Sequence, residues 1–343
     1  MRTTSQYKIA GTKTFRLASS KYFGHGGNLQ NIKKQLRVVF VPDEGKIFVQ
    51  VDQSGAEALI VAYCCPDGQY RKLFRHNIKP HSYLGMHLFK GVWRNKMIEH
   101  GLITSTDDTF DIEAMCKTPI DLLKSHVHYK SLFGLIKDSD DWPANERYYY
   151  LSKQTEHSSN YDIKAPMFRM NVLDKSEGEV VISKEDSELF LATKHSLFPE
   201  IREGFHRYVR YCIDNHKVIY NLHGHPFVVT QPEILESKWK EWYAIIPQST
   251  VGEITIIAHA YLQEYIEREC RDWDVLANTH DSLLVQCPIA EALECATIMQ
   301  KFMNQSFKSP IDGAEFQMKS EASAGFNWRP FKPGVNDKGL KPI

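Results

Sequence analysis

Residues 275–287 constrain the fold of this chain more than any other segment. Val275-Leu276-Ala277-Asn278-Thr279 and Ser282-Leu283-Leu284-Val285-Gln286-Cys287 are short apolar runs, with His280-Asp281 between them and Pro288 after the second. Two such runs joined by so short a polar link predict an antiparallel hairpin with a charged tip. A second strand is predicted over 46–51, after the turn Pro42-Asp43-Glu44-Gly45, and it ends at Asp52. Residues 57–63 are apolar and read as a helix, so Asp52 stands where a strand hands over to a helix. Two aspartates, Asp52 and Asp281, therefore end or turn buried β-elements.

The rest of the chain reads as helices with a few strands. The opening to about residue 31 is polar and broken by Gly24, Gly26 and Gly27. Residues 65–240 are mainly helical, and Ser183 before Lys184-Glu185-Asp186 is a predicted N-cap. A strand pair is predicted at 218–220 and 226–229 around His223-Gly224-His225, then a helix over 254–270. No internal repeat is visible.

At 343 residues, 42% hydrophobic and 24% charged, the chain belongs with soluble globular proteins. No apolar run approaches a membrane span, and the polar start lacks a signal-peptide core. Seven cysteines without CxxC or metal-ligand spacing predict reduced thiols and a cytoplasmic setting, the host's if a phage encodes the chain. Charges balance at 42 of each sign, yet the first fifty residues hold nine Lys and Arg against Asp43 and Glu44. That local arm can neutralise phosphates, or it can be an ordinary solvated face.

Paired carboxylates at strand ends suit phosphoryl transfer, which asks a protein mainly for positioning and charge neutralisation. Two Mg²⁺ ions about 3.5–4 Å apart stabilise both attacking and leaving oxygens. Mg²⁺ takes hard oxygen ligands and keeps several waters, so two aspartates with phosphate oxygens suffice. Alone, Asp52 reads equally as a helix cap and Asp281 as a turn residue.

The flanking residues add a resemblance. Asp52-Gln53-Ser54-Gly55-Ala56-Glu57 resembles motif A of family A DNA polymerases, and His280-Asp281-Ser282 resembles their motif C. Between them Lys153-Gln154-Thr155-Glu156-His157-Ser158-Ser159-Asn160-Tyr161 is similar to motif B in its Lys-x-x-x-His-x-x-Asn-Tyr form. Arg16-Leu17-Ala18-Ser19-Ser20 and Asn28-Leu29-Gln30-Asn31-Ile32 resemble the primer-template segment before motif A. Pro247-Gln248-Ser249-Thr250 resembles a template-contacting segment, and Gly325-Phe326-Asn327-Trp328 the C-terminal signature. The elements follow the family's order over nearly the whole chain.

The resemblance implies an α+β fold, an antiparallel polymerase palm with a mainly helical fingers subdomain. It divides the chain into palm at 1–64, fingers at 65–240 with an insertion at about 92–143, and palm again at 241–343. It implies a DNA-templated DNA polymerase adding dNTPs to a primer end, with Asp52 and Asp281 catalytic. Those aspartates and the Gln53 carbonyl would hold two Mg²⁺ ions, with Mn²⁺ as the alternative. Lys153, His157 and Tyr161, spaced by four on a helix, would meet the nucleotide, with His81 beside them and Glu57 blocking a ribose 2′-hydroxyl. Arg16, Asn28, Gln30, Asn31, Gln248 and His280 would contact DNA.

Several positions depart from the family. Ser282 replaces the usual Glu, Asp162 and Ser158 replace glycines, and Gly224-His225 replaces Gly-Arg. Tyr149 stands where an Arg usually reaches the phosphates, and Arg147, two residues away, is on the wrong helix face. The family's thumb precedes Arg16, where this sequence has fifteen residues, so a partner chain is expected to supply it, with or without an exonuclease. Two other readings are a non-catalytic DNA-binding or assembly subunit, favoured by Ser282, and a single-subunit RNA polymerase relative, opposed by Glu57.

Overall fold

The computed structural model describes residues 3–9, 11–21, 24–231 and 233–343. The chain forms two compact units, one of Met1–Ile60, Lys217–Val229 and Ala244–Ile343, the other of Val61–His216 and Thr230–Tyr243. In chain order the principal elements are β1 (Lys46–Gln53), α1 (Ala56–Tyr63), α2 (Pro80–Leu88), α3 (Tyr148–Asn160) and α4 (Lys184–Leu197). They are followed by α5 (Trp239–Arg268), β2 (Asp274–Asn278), β3 (Ser282–Pro288), α6 (Ala292–Met303), β4 (Ser320–Gly325) and β5 (Lys341–Pro342).

The first unit is built on an antiparallel sheet in the order β5-β4-β1-β3-β2. Successive side chains on a strand point to opposite faces. Val49 and Val51 of β1 join Leu283, Val285 and Cys287 of β3 and Ala322 and Ala324 of β4 in one core. Ala258, Leu262 and Ile266 of α5 cover that face with Cys295, Ala296, Met299 and Met303 of α6. Phe48 enters a second core on the opposite face, with Leu29, Ala277, Leu284, Trp328 and Leu340. Burying each of the Val, Leu, Ile, Met and Phe side chains among these contributes about 1.5–3 kcal/mol. A one-residue slip would turn both valines out of their core, so the register is firmly set. That register places Asp52 on the face of Phe48 and Gln50.

The helix expected over 254–270 begins much earlier, at Trp239, and runs through Pro247. Proline removes one backbone donor and usually ends a helix, which is why the sequence pattern suggested a later start. Nearby hydroxyls occupy carbonyls in this stretch: Ser249 donates to Ile245 O at 2.6 Å and Thr250 to Ile246 O at 2.7 Å. The helix stops near the expected place, where Cys270 turns left-handed at φ 50°.

The second unit is helical. α2 approaches α3 so closely that a Cβ on Gly85 would lie 2.8 Å from Ser152 Oγ, and Trp93 Nε1 donates to the Gly85 carbonyl at 3.1 Å. Residues 92–143 contain the helices Ile112–Lys117, Ile120–Leu123 and Tyr129–Asp138, with Trp93, Met97, Met115, Leu123, Leu132 and Ile136 fully buried. Ser183 caps α4 as its spacing predicts, its Oγ accepting from Asp186 N at 2.9 Å. Among the described residues no helix is long and apolar enough to cross a membrane.

Candidate active site

In the first unit, Asp52 lies opposite Ser282 of β3 on one side and opposite Glu321 of β4 on the other. Asp281 immediately precedes Ser282 at the hairpin tip, and Gln53 N donates to the Asp281 carbonyl at 2.9 Å. The two aspartates therefore end neighbouring strands and are tied through the backbone. His280 sits between the strands with φ 73°, a left-handed conformation uncommon for a side chain of this size. Thr255 Oγ1 donates to the His280 carbonyl at 3.0 Å and Asn278 Oδ1 accepts from His280 N at 3.2 Å, which holds the strained tip.

Ser282, where the family has Glu, is buried in a neutral chain of hydrogen bonds. Trp328 Nε1 donates to Gln50 Oε1 at 2.9 Å, Gln50 Nε2 donates to Ser282 Oγ at 3.4 Å, and Ser282 meets Thr279 Oγ1 at 2.5 Å. This chain orients the tip without adding a charge. Glu321, exposed on β4, is the carboxylate that the sheet brings across from Asp52 instead.

Arg37 is the residue sequence reasoning missed. Its guanidinium lies 4.5 Å over the Trp328 ring, and Nε donates to Ile32 O at 3.4 Å. Burial pushes its pKa below the ordinary arginine value, while Asp281 and Asp52 pull it back up. Both aspartates thus act on one cation. Its only sequence signal was membership of the basic arm before β1.

Other sequence-expected site residues of this unit also cluster. Arg16 forms an ion pair with Glu57, and its stem lies against α5, where a Cβ on Gly252 would come within 2.9 Å of Arg16 Cγ. The His280 imidazole is lowered by burial and by Arg16, with Glu57 opposing. Asn28 accepts from Gln30 N at 3.1 Å and pairs with Ser19 Oγ. Gln30 accepts from Ser19 N at 2.8 Å and donates to Asn278 O at 3.0 Å, tying the loop before β1 to β2. Asn31 is exposed, and Gln248 is partly exposed on α5 one residue after Pro247.

The second unit carries the motif B residues. Lys153 is exposed on α3 and His157 is half-buried. Tyr161 is buried just past the helix end, edge-on to His157 with ring centroids 5.3 Å apart. His81 on α2 meets the Tyr149 hydroxyl at 2.7 Å. Burial pushes His81 down to about 4 and Tyr149 up to about 12, so this pair is neutral at pH 7. Arg147 is engaged elsewhere, with Glu179 at 3.1 Å and the Asp140 carbonyl.

No protein-family model matches the chain. Over 85 residues it is 36% identical to a DNA polymerase I of Caldicellulosiruptor bescii, covering 23% of this chain and 9% of that protein. In structure it matches the polymerase domain of Pol1 from M. smegmatis, solved with DNA primer-template and dNTP. That match has a TM-score of 0.62 at 16% identity and covers 95% of this chain. The chain has a family A DNA polymerase-like fold. It spans about half of that solved chain, 48%, and a small part of the curated relative. The α+β class follows, with an antiparallel sheet in one unit and helices in the other.

Proposed function

We propose that this polymerase-like chain is the catalytic portion of a DNA-templated DNA polymerase, extending a primer 3′ end with dNTPs. The observation that carries the reading is the pair of strand ends holding Asp52 and Asp281, joined by the Gln53 N to Asp281 O hydrogen bond. Among the described residues no group of three or more His, Cys, Asp or Glu is placed to hold a metal. Two aspartates with the Gln53 carbonyl nonetheless fit Mg²⁺, which accepts few protein oxygens and retains water. When bound, two Mg²⁺ ions would supply charge stabilisation to the attacking and leaving oxygens, and Mn²⁺ offers the same oxygen chemistry.

The chain's own residues supply the rest. The first unit acts as palm: Arg37 offsets the aspartates' charge, His280 and Arg16 face the primer, and Glu57 excludes a 2′-hydroxyl. The second unit acts as fingers. Lys153 meets the triphosphate as a point charge, His157 and Tyr161 face base and sugar, and neutral His81 offers a hydrogen bond rather than a cation. Asn28, Gln30, Asn31 and Gln248 line the primer-template path, Asn28 and Gln30 chiefly by holding its loop. In this reading the polymerase works in the cytoplasm beside a second polypeptide. Exposed Leu36, Val38, Val39 and Val41 before β1 offer an apolar contact for it.

The buried neutral chain around Ser282 favours one other reading, a DNA-binding subunit without catalysis. Primer extension with Mg²⁺ separates the two, run on the purified chain with and without the product of the adjacent gene. Incorporation that disappears in Asp281→Ala while DNA binding persists supports the polymerase; binding without incorporation under every condition supports the alternative.

A further inference from the structure

Behind the motif B residues, α3 buries the polar side chains of Glu156 and Asn160 among others. Glu156 accepts from Asn160 Nδ2 at 2.9 Å and from the Tyr70 hydroxyl. Lys194 of α4 has no exposed surface, and its Nζ lies 3.7 Å from Glu156 Oε1. That ammonium sits 3.9 Å over the Tyr70 ring and 4.6 Å over Phe198, and among the described residues Nζ has no hydrogen-bond partner. Glu156 and Asn160 occupy a helix face adjoining that of Lys153 and His157. A buried charge whose partner is removed is strongly unfavourable, so this pair resists any rotation of α3 that would separate it.

We propose that Glu156 and Lys194 form a buried ion pair that fixes the rotation of α3 and so positions Lys153 and His157 for the nucleotide. The nucleotide part rests on the polymerase reading; the hold on α3 does not. Burial depresses Lys194 to about 8, with Glu156, Cys65 and Glu200 opposing. The groups facing it are Glu156, Tyr70, Cys65, Glu200 and, more remotely, His81. Burial raises Tyr70 and Cys65 and holds His81 near about 4, so none of those three changes charge between pH 7 and 9. The pair therefore loses its cation as pH rises through about 8. The unfolded chain keeps that proton to higher pH, so the titration of Lys194 by itself makes stability rise, not fall, across this window.

The test compares at pH 7 the wild-type chain, Lys194→Met, which strands Glu156, and Lys194→Met/Glu156→Gln, which removes both charges together. Hydrogen exchange on α3 amides, corrected for intrinsic rate, should show about tenfold less protection in Lys194→Met than in the wild type, with the double variant close to the wild type. The KM for dNTP should rise about tenfold in Lys194→Met and stay near the wild-type value in the double variant. An unchanged KM in an active Lys194→Met enzyme would overturn the positioning role. If the chain never uses dNTP, the polymerase reading fails, and exchange alone decides: unchanged protection overturns the ion-pair hold, and lost protection supports it.

Discussion

The two aspartates of the first unit and the motif B helix of the second are held by different physics. Asp52 and Asp281 are placed by backbone pairing among β4, β1 and β3, with an apolar core setting the register. The polar side of α3 is placed by buried side chains, Glu156 with Lys194 and His81 with Tyr149. A backbone-built site tolerates replacement of its functional side chains, because those side chains do not hold the frame. A site held by buried polar groups does not separate the two so cleanly, since removing one partner strands the other.

The largest expected effect tests the first half of that contrast. Asp281→Ala should lower incorporation at least about a thousandfold, since metal-assisted charge stabilisation is worth several kcal/mol and each 1.36 kcal/mol is about tenfold. Melting temperature and primer-template affinity should stay close to wild type. Substantial incorporation by this variant would remove Asp281 from the chemistry.

The second half predicts the opposite pattern. Lys194→Met alone should destabilise the chain by about 3 kcal/mol, because it leaves Glu156 buried without a counter-charge. Chemical denaturation of the single variant and of Lys194→Met/Glu156→Gln measures it, with the double variant regaining most of the loss. Equal stability in wild type and single variant would show that Glu156 is not ionised there.

Smaller effects sharpen the comparison. Glu57→Ala should raise ribonucleotide use relative to deoxyribonucleotide about tenfold, the order reached when a pocket's fit to a small group is relaxed. Competition assays with the two nucleotide classes report it, and unchanged selectivity would reopen the RNA polymerase alternative. Tyr149→Phe should cost about 1 kcal/mol, the scale of one hydrogen bond, read by thermal unfolding. The His81 imidazole should remain neutral at pH 7 in that variant, since burial, the first cause of its lowering, persists.

The contrast also explains what the sequence made legible. β1 and the 275–287 hairpin were readable because strand alternation and turn residues are local signals, and they carried Asp52 and Asp281 with them. The first part of α5 was hidden by Pro247, whose local rule is overridden in the folded helix. Arg37 was invisible as a site residue because Asp281 stands far away in sequence and only the folded sheet sets both aspartates to act on it. Glu156 and Lys194 look like ordinary charges on helices, and nothing local announces that both are buried. Tyr149 was noticed as a departure from Arg, but its pairing with His81 depends on the packing of α2 on α3.

Gly252 has a consequence for sequence change over time. Glycine inside a helix costs about 0.5–1 kcal/mol relative to alanine, and here the missing methyl is the space that the Arg16 side chain fills. Positions 16 and 252 should therefore drift as a pair among relatives: a larger residue at 252 should accompany a shorter one at 16. Where that exchange has happened, Glu57 would lose its ion-pair partner, and its carboxylate would have to be held from another direction.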